Sequence, residues 1–349
     1  MPVPPESAPD TRSPSARTTL ATLGRQRSVR IAALLWVLAS LSVFALASDG
    51  LPFTRGEEEL PLATEVINGQ LNLLLALILI VIAIRMTRRG PRVDIAERAP
   101  ARSVATAEVL ALVAYGVVVS IGGLLLGRLA GDHAYSLHLP GTIYGLHHGT
   151  LEPAWVIGWA AYNGVFFALL PYLAFRRRGY SNTQLNLRSL DRRRDLGLIL
   201  VILAVESFAE LATVSSEIFQ LDASDLLIGV PLAFAVNLLG TGLPILIFIY
   251  AILLPRLARL TGSGPTTVIL GGVAYAVIHA FESWAVYETF AAGTLTVVFL
   301  FLQYFGPGLI KSVLTIRTGN AWVHLWAYHA VAPHVTLDTV TLLDSLDLR

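Results

Sequence analysis

Long apolar stretches are the feature that most constrains the fold of this chain. Of its 349 residues, 54% are hydrophobic and only 14% are charged. A membrane-spanning helix needs roughly 20 mostly apolar residues, and continuous apolar runs exclude the alternation of a closed β-barrel. The sequence therefore predicts an all-α polytopic membrane protein with about 8–9 transmembrane helices. The candidate spans are residues 31–48, 66–84, 109–126, 153–175, 196–215, 226–254, 265–284, 290–310 and the short 321–334.

The positive charges are distributed unequally between the two sides of this arrangement. All of the 25 Lys and Arg residues except Arg55, Arg128 and Arg349 fall on one side. Because basic loops stay in the cytoplasm, the pattern predicts a multi-pass protein of the cell (plasma) membrane with a cytoplasmic N-terminus. Topology explains these charges, so the expected surroundings are the lipid bilayer and no nucleic-acid partner is expected.

Composition divides the chain into four parts. Residues 1–30 are rich in Pro, Ser, Thr and Arg, which predicts a disordered cytoplasmic N-terminus. Residues 31–152 form an N-terminal transmembrane extension whose first span, lacking a clear cleavage site, is predicted to be retained. Residues 153–335 form the helical membrane core, and 336–349 a short tail. The chain has no cysteine, which excludes disulfides and thiolate sites.

Histidines are concentrated in one external loop. The loop 131–152 contains His133, His138, His147 and His148. Four imidazoles in one loop are compatible with a metal site at the outer face. Their spacing matches no specific site template, so a polar loop with interfacial histidines is the favoured interpretation.

The strongest candidate site residues are His279, Glu282 and His329. His279 and His329 lie well inside the seventh and ninth predicted spans, and Glu282 follows His279 by one helical turn. Ionisable groups at this depth indicate a functional site, in which imidazole acts as base, donor or ligand and Glu orients it or shares its proton. A structural hydrogen-bond network between helices is the alternative.

Two further carboxylates lie in the fifth predicted span. Glu206 and Glu210 are four residues apart and share one helix face, so they are alternative catalytic groups or a structural pair. In the sixth span, the sequence Gly-Thr-Gly-Leu-Pro at 240–244 predicts two half-helices or a strongly tilted helix, since Pro removes a helical hydrogen bond.

Three short motifs follow one another in the membrane core. They are Leu253-Leu254-Pro255-Arg256-Leu257, Tyr275 followed by His279, and Thr318-Gly319 followed by His329. Through these motifs, residues from about 170 to 334 resemble the CPBP (CAAX prenyl protease and bacteriocin-processing, or Abi) family of intramembrane glutamic proteases. The first is similar to the segment that follows the first family motif, the second to the second family motif and the third to the last.

The chain departs from the family at decisive positions. Ile245 and Leu246 stand where the family has its Glu-Glu pair, Tyr250 where it has Arg, and Pro333 where it has Asn. The resemblance implies a membrane protein or peptide as substrate or partner, and no cofactor. It predicts a protease active through a rearranged Glu/His site or an inactive scaffold. A transporter or a metal- or haem-binding membrane protein using the same His and Glu residues is the alternative function.

Overall fold

The fold is a bundle of α-helices. The computed structural model describes residues 25–47, 50–53, 61–90, 93–131, 133–140, 151–213, 217–328 and 334–349. Within these ranges there are ten helices and no strand. They are α1 (Arg27–Leu46), α2 (Leu62–Met86), α3 (Arg102–Ala130), α4 (Pro153–Arg177), α5 (Arg192–Thr213), α6 (Ala223–Thr261), α7 (Gly264–Val277), α8 (Phe290–Thr318), α9 (Trp322–Tyr328) and α10 (His334–Ser345).

Length and composition confirm the all-α polytopic membrane class. In the described part of the chain, six helices (α1, α2, α3, α4, α6 and α8) are long and apolar enough to cross a membrane. Their outward faces carry large apolar side chains, such as Leu34 at 59% exposure and Leu110 at 65%. Outward faces that carry many large apolar side chains are unfavourable in water but match the hydrocarbon of a membrane.

Helix α8 is the centre of the bundle and packs against α1, α2, α7 and α9. The most apolar part of α8 is 83% buried, whereas that of α1 is only 6% buried. The contact between α7 and α8 depends on small residues, because a Cβ atom on Gly308 would lie 2.7 Å from Tyr275 Cβ and 2.8 Å from Gly272 Cα. Small residues of this kind allow membrane helices to approach closely.

Helix α6 differs from the predicted pair of half-helices. It is helical from Ala223 to Thr261, and π-helical stretches at Leu238–Gly242 and Leu246–Leu253 absorb the irregularity around Pro244. A π-helical turn widens the hydrogen-bonding pattern without ending the helix. Ile245 is fully buried in this segment.

Three segments differ from their predicted bounds. Helix α7 ends at Val277, so the predicted span 265–284 is helical only in its first part. The predicted span 321–334 contains the short helix α9 and the start of α10, and residues 329–333 between them lie outside the described part of the chain. The segment 336–349, assigned as a tail, belongs largely to α10, which packs against the first half of α6.

The predicted disordered segment 1–30 is only partly described. Residues 1–24 lie outside the described part of the chain, whereas residues 27–30 form the first turn of α1.

A loop follows the C-terminal end of α3. It comprises residues 133–140, and we call it the return loop because it packs back against the bundle.

Two basic residues that the sequence placed in loops are buried inside helices. Arg256 in α6 is fully buried, and its Nε donates to Oε2 of Glu108 in α3 at 2.6 Å. Tyr180 donates to the same carboxylate. Lys311 is 1% exposed. It lies within α8, which continues eight residues beyond the predicted end of its span. Both side chains are therefore structural or functional groups of the interior and not surface charges.

Candidate functional site

The return loop is fixed to the bundle by hydrogen bonds to its backbone. Nε1 of Trp159 in α4 donates to the carbonyl of Ser136 at 2.6 Å. Oγ1 of Thr241 in α6 donates to the carbonyl of Leu137 at 2.5 Å. These bonds from two helices satisfy buried carbonyls of a non-helical segment, which membrane depth requires. They hold the next residue, His138, inside the protein, where it is only 2% exposed.

His138 meets Glu282 and His279 at the centre of the candidate site. Nδ1 of His138 lies 3.1 Å from Oε1 of Glu282. The rings of His138 and His279 stack with centroids 4.6 Å apart. All three residues are buried, and one potential metal-binding atom from each lies within 4.8 Å of the other two. We call His138, His279 and Glu282 the central triad.

The end of α7 sets the orientation of His279. Its ring Nδ1 is 2.5 Å from the carbonyl of Tyr275, and its backbone N–H bonds to the carbonyl of Ala276. A carbonyl only accepts, so Nδ1 carries the proton and Nε2 of the neutral ring keeps its lone pair. Nε2 is buried and makes no hydrogen bond within the described residues. An acceptor is thus available at the centre of the triad.

An aromatic side chain and a His–Asp pair enclose the triad. The ring of Tyr304 in α8 stacks on His279 with centroids 4.0 Å apart. His334, at the start of α10, has its ring centroid 5.1 Å from that of His138. Nδ1 of His334 lies 3.3 Å from Oδ2 of Asp338, one helical turn later. A carboxylate in this position fixes the orientation of an imidazole.

A buried lysine adjoins the same region. Nζ of Lys311 donates to the hydroxyl of Tyr275 at 2.5 Å and lies 3.8 Å from the centroid of that ring. Because Tyr275 also accepts the bond from His279, one residue connects the lysine to the triad. Glu206 in α5 interacts electrostatically with Lys311. The interior therefore contains cationic and anionic groups in proximity, as expected of a functional centre in a membrane.

The structure brings together two of the three principal candidates. His279 and Glu282 belong to the triad, but they lie beyond the end of α7 and not within a helix as predicted. His329 lies outside the described residues. Glu206 is buried in α5 and is not a triad member, and the side chain of Glu210 is also outside the described part.

The other histidines lie in different parts of the protein. In the return loop, His133 packs edge-on against Trp155, whereas His138 enters the core. His147 and His148 are not among the described residues. The ring of His324 in α9 packs against that of Tyr250, with centroids 4.2 Å apart.

Sequence reasoning placed His138 in an external loop, with a polar loop as the favoured interpretation, and did not identify Lys311 or the His334–Asp338 pair. A lysine inside a continuous apolar helix and a His-x-x-x-Asp spacing are signals that the sequence carries, because the four-residue spacing places both groups on one helix face. His138 carries no comparable signal. Its position depends on hydrogen bonds from α4 and α6.

The protein also contains an apolar cavity of about 630 Å³ that is separate from the triad. Its walls come mainly from α4 and α6, with Trp322 of α9 and polar groups at Tyr172 and Asn182. It includes none of the triad residues. The size of this cavity therefore says nothing about the chemistry of the site.

Comparison with known proteins identifies no relative, since no family model, curated protein or solved structure matches the chain. The fold class and the site geometry are therefore the basis for any functional conclusion.

Proposed function

We propose that this multi-pass membrane protein is an intramembrane hydrolase that cleaves membrane proteins or peptides, with the central triad as its reactive centre. The observation that carries the proposal is the buried contact of 3.1 Å between His138 and Glu282, with His279 stacked beside it. Ionisable groups are costly inside a membrane protein, and their collection from separate segments supports a functional role.

The triad supplies the groups that peptide hydrolysis needs. A water molecule held beside Glu282 gives a proton to the Glu282 carboxylate while the water oxygen attacks the substrate carbonyl carbon. The C–N bond then breaks, and Glu282 passes the proton to the leaving amine nitrogen. Imidazole N–H groups stabilise the oxyanion that forms between these steps. In this role Glu282 replaces the glutamates that are absent at Ile245 and Leu246.

The resemblance to CPBP proteases agrees with this proposal in part. His279 stands at the position of a family histidine and belongs to the triad. Ile245 and Leu246 are buried apolar residues, so the rearranged Glu/His site is the version of the resemblance that the geometry supports. An inactive scaffold would need the same folded core but no reactive water, and this difference can be measured.

We further propose that the protein lies in the plasma membrane with its N-terminus in the cytoplasm. The support is the concentration of arginines in the connections after α2 and α4 and before α5. Basic segments next to membrane helices remain in the cytoplasm.

A comparison of protein N-termini in membranes tests the hydrolase. Cells lacking the gene are supplied with wild-type protein, Glu282→Gln, or the control Glu288→Gln, whose side chain is exposed on the same segment. New N-termini are expected in membranes containing wild type and Glu288→Gln and not in those containing Glu282→Gln. Cleavage of the corresponding peptides by purified protein in liposomes confirms a direct effect. Identical N-termini in all three samples would show that the protein is not a hydrolase.

A further inference from the structure

The central triad has the composition of a metal-binding site. Two imidazoles and one carboxylate are ligands that Zn²⁺ takes in catalytic sites, where three protein ligands leave a position for water. The ligand atoms of the three residues lie within 4.8 Å of one another. Tetrahedral Zn²⁺ with bonds of about 2.0–2.1 Å brings neighbouring ligand atoms to roughly 3.3–3.4 Å. The ligand atoms are therefore up to 4.8 Å apart before an ion is bound, and binding requires them to move closer together.

The hydrogen bonding of His279 is a second and independent observation. Its Nδ1–H donates to the carbonyl of Tyr275, which fixes the neutral tautomer with the lone pair on Nε2. Metal-binding histidines almost always donate their second ring N–H to a carbonyl or carboxylate in this way. Nε2 is fully buried and has no hydrogen-bond partner in the described part of the chain. A metal ion would satisfy this atom.

His138 and Glu282 already lie at the spacing of neighbouring ligands. Nδ1 of His138 is 3.1 Å from Oε1 of Glu282, close to the roughly 3.3–3.4 Å between ligand atoms around tetrahedral Zn²⁺.

We infer that His138, His279 and Glu282 bind a divalent transition-metal ion of the Zn²⁺ class inside the membrane domain. The inference deepens the proposed function, because an ion bound here lowers the pKa of its water and makes hydroxide available near neutral pH. With the ion bound, Glu282 acts as a ligand in place of the base role given above. The proton of the water passes to His334, whose ring is held by Asp338 near the triad, and from there to the leaving amine nitrogen.

Metal binding is measured on the purified full-length protein without any substrate. The affinity tag contains no histidine, and chelator is removed before Zn²⁺ is added. One Zn²⁺ per chain is expected for wild type and for the control His133→Ala, whose histidine lies in the same return loop against Trp155. Affinity is expected to fall at least about 10-fold in His138→Ala, His279→Ala and Glu282→Gln. Wild-type protein that binds no Zn²⁺, or triad variants with unchanged affinity, would overturn the inference.

The lack of cysteine provides a direct test of ligation. Because wild type contains no thiol, a thiolate-to-cobalt charge-transfer band with Co²⁺ reports only on an introduced cysteine. His279→Cys and His138→Cys, which keep a ligand and avoid an empty site, are expected to give this band. His133→Cys is expected to give none. A band in His133→Cys, or its absence in both folded triad variants, contradicts the assignment.

The two proposals fail in different ways. Zn²⁺ bound by the triad in a protein that cleaves nothing would leave the metal site intact and remove the hydrolase. Cleavage that persists unchanged in fully chelated, metal-free protein would leave the hydrolase intact and remove the metal site.

Discussion

Nδ1 of His138 lies 3.1 Å from Oε1 of Glu282, although 144 residues separate the two in the chain. The return loop brings the histidine, and the turn after α7 brings the carboxylate. Both side chains are at most 3% exposed. Two polar groups buried in this way depend on each other, because loss of one leaves the other without its partner.

Coupling between His138 and Glu282 is the first prediction. Each of His138→Ala and Glu282→Ala is expected to lower the free energy of unfolding by about 1–3 kcal/mol, because the remaining partner stays buried. The double variant is expected to lose less than the sum of the two. Denaturant titration in micelles measures all three proteins, with His133→Ala as control. Additive losses would show that the contact is not formed.

Close packing of α7 and α8 gives the second prediction. A Cβ atom at Gly308 would lie within 2.8 Å of Gly272 Cα, so Gly308→Ala forces the helices apart. Overpacking of this kind costs about 1–3 kcal/mol. Gly197→Ala is the control, since a Cβ at that glycine meets nothing within 4 Å. Thermal unfolding in detergent is expected to occur at lower temperature for Gly308→Ala alone, and equal unfolding temperatures would contradict the packing.

Loss of the buried ion pair between Arg256 and Glu108 is the third prediction. Arg256→Met leaves a buried carboxylate with fewer partners, and breaking such a pair costs about 3–5 kcal/mol. The double change Arg256→Met with Glu108→Leu is expected to recover much of this loss, because no buried charge then remains. Arg259→Met, at an exposed position in the same helix, is the control. Unfolding curves that do not distinguish Arg256→Met from this control would contradict the prediction.

Topology is the fourth prediction. A reporter inserted after Gly141, in the histidine-containing loop, is expected to be external, and one inserted after Ser189, between α4 and α5, is expected to be cytoplasmic. Paired alkaline phosphatase and fluorescent-protein fusions measure both positions. The reverse pattern would place the basic connections outside and contradict the charge-based orientation.

The end of α7 shows why sequence reasoning misplaced the local structure of the site. Apolar residues continue past Val277, so composition gave no reason for the helix to stop. In the structure, the ring Nδ1–H of His279 donates to the carbonyl of Tyr275. In a continuing α-helix, that carbonyl would accept from the backbone N–H of His279. That N–H bonds instead to Ala276. Side chains that compete for backbone groups in this way end helices.

The sequence by itself determined the fold class and the membrane location, because hydrocarbon leaves continuous apolar segments few alternatives to a helix. It also determined that His279 and Glu282 are neighbours, since they are only three positions apart in the chain. The tertiary structure alone decided that His138 completes the triad and that Lys311 is joined to His279 through Tyr275. These positions depend on the packing of α4, α6 and α8 and on hydrogen bonds between distant segments, which no local pattern in the chain encodes.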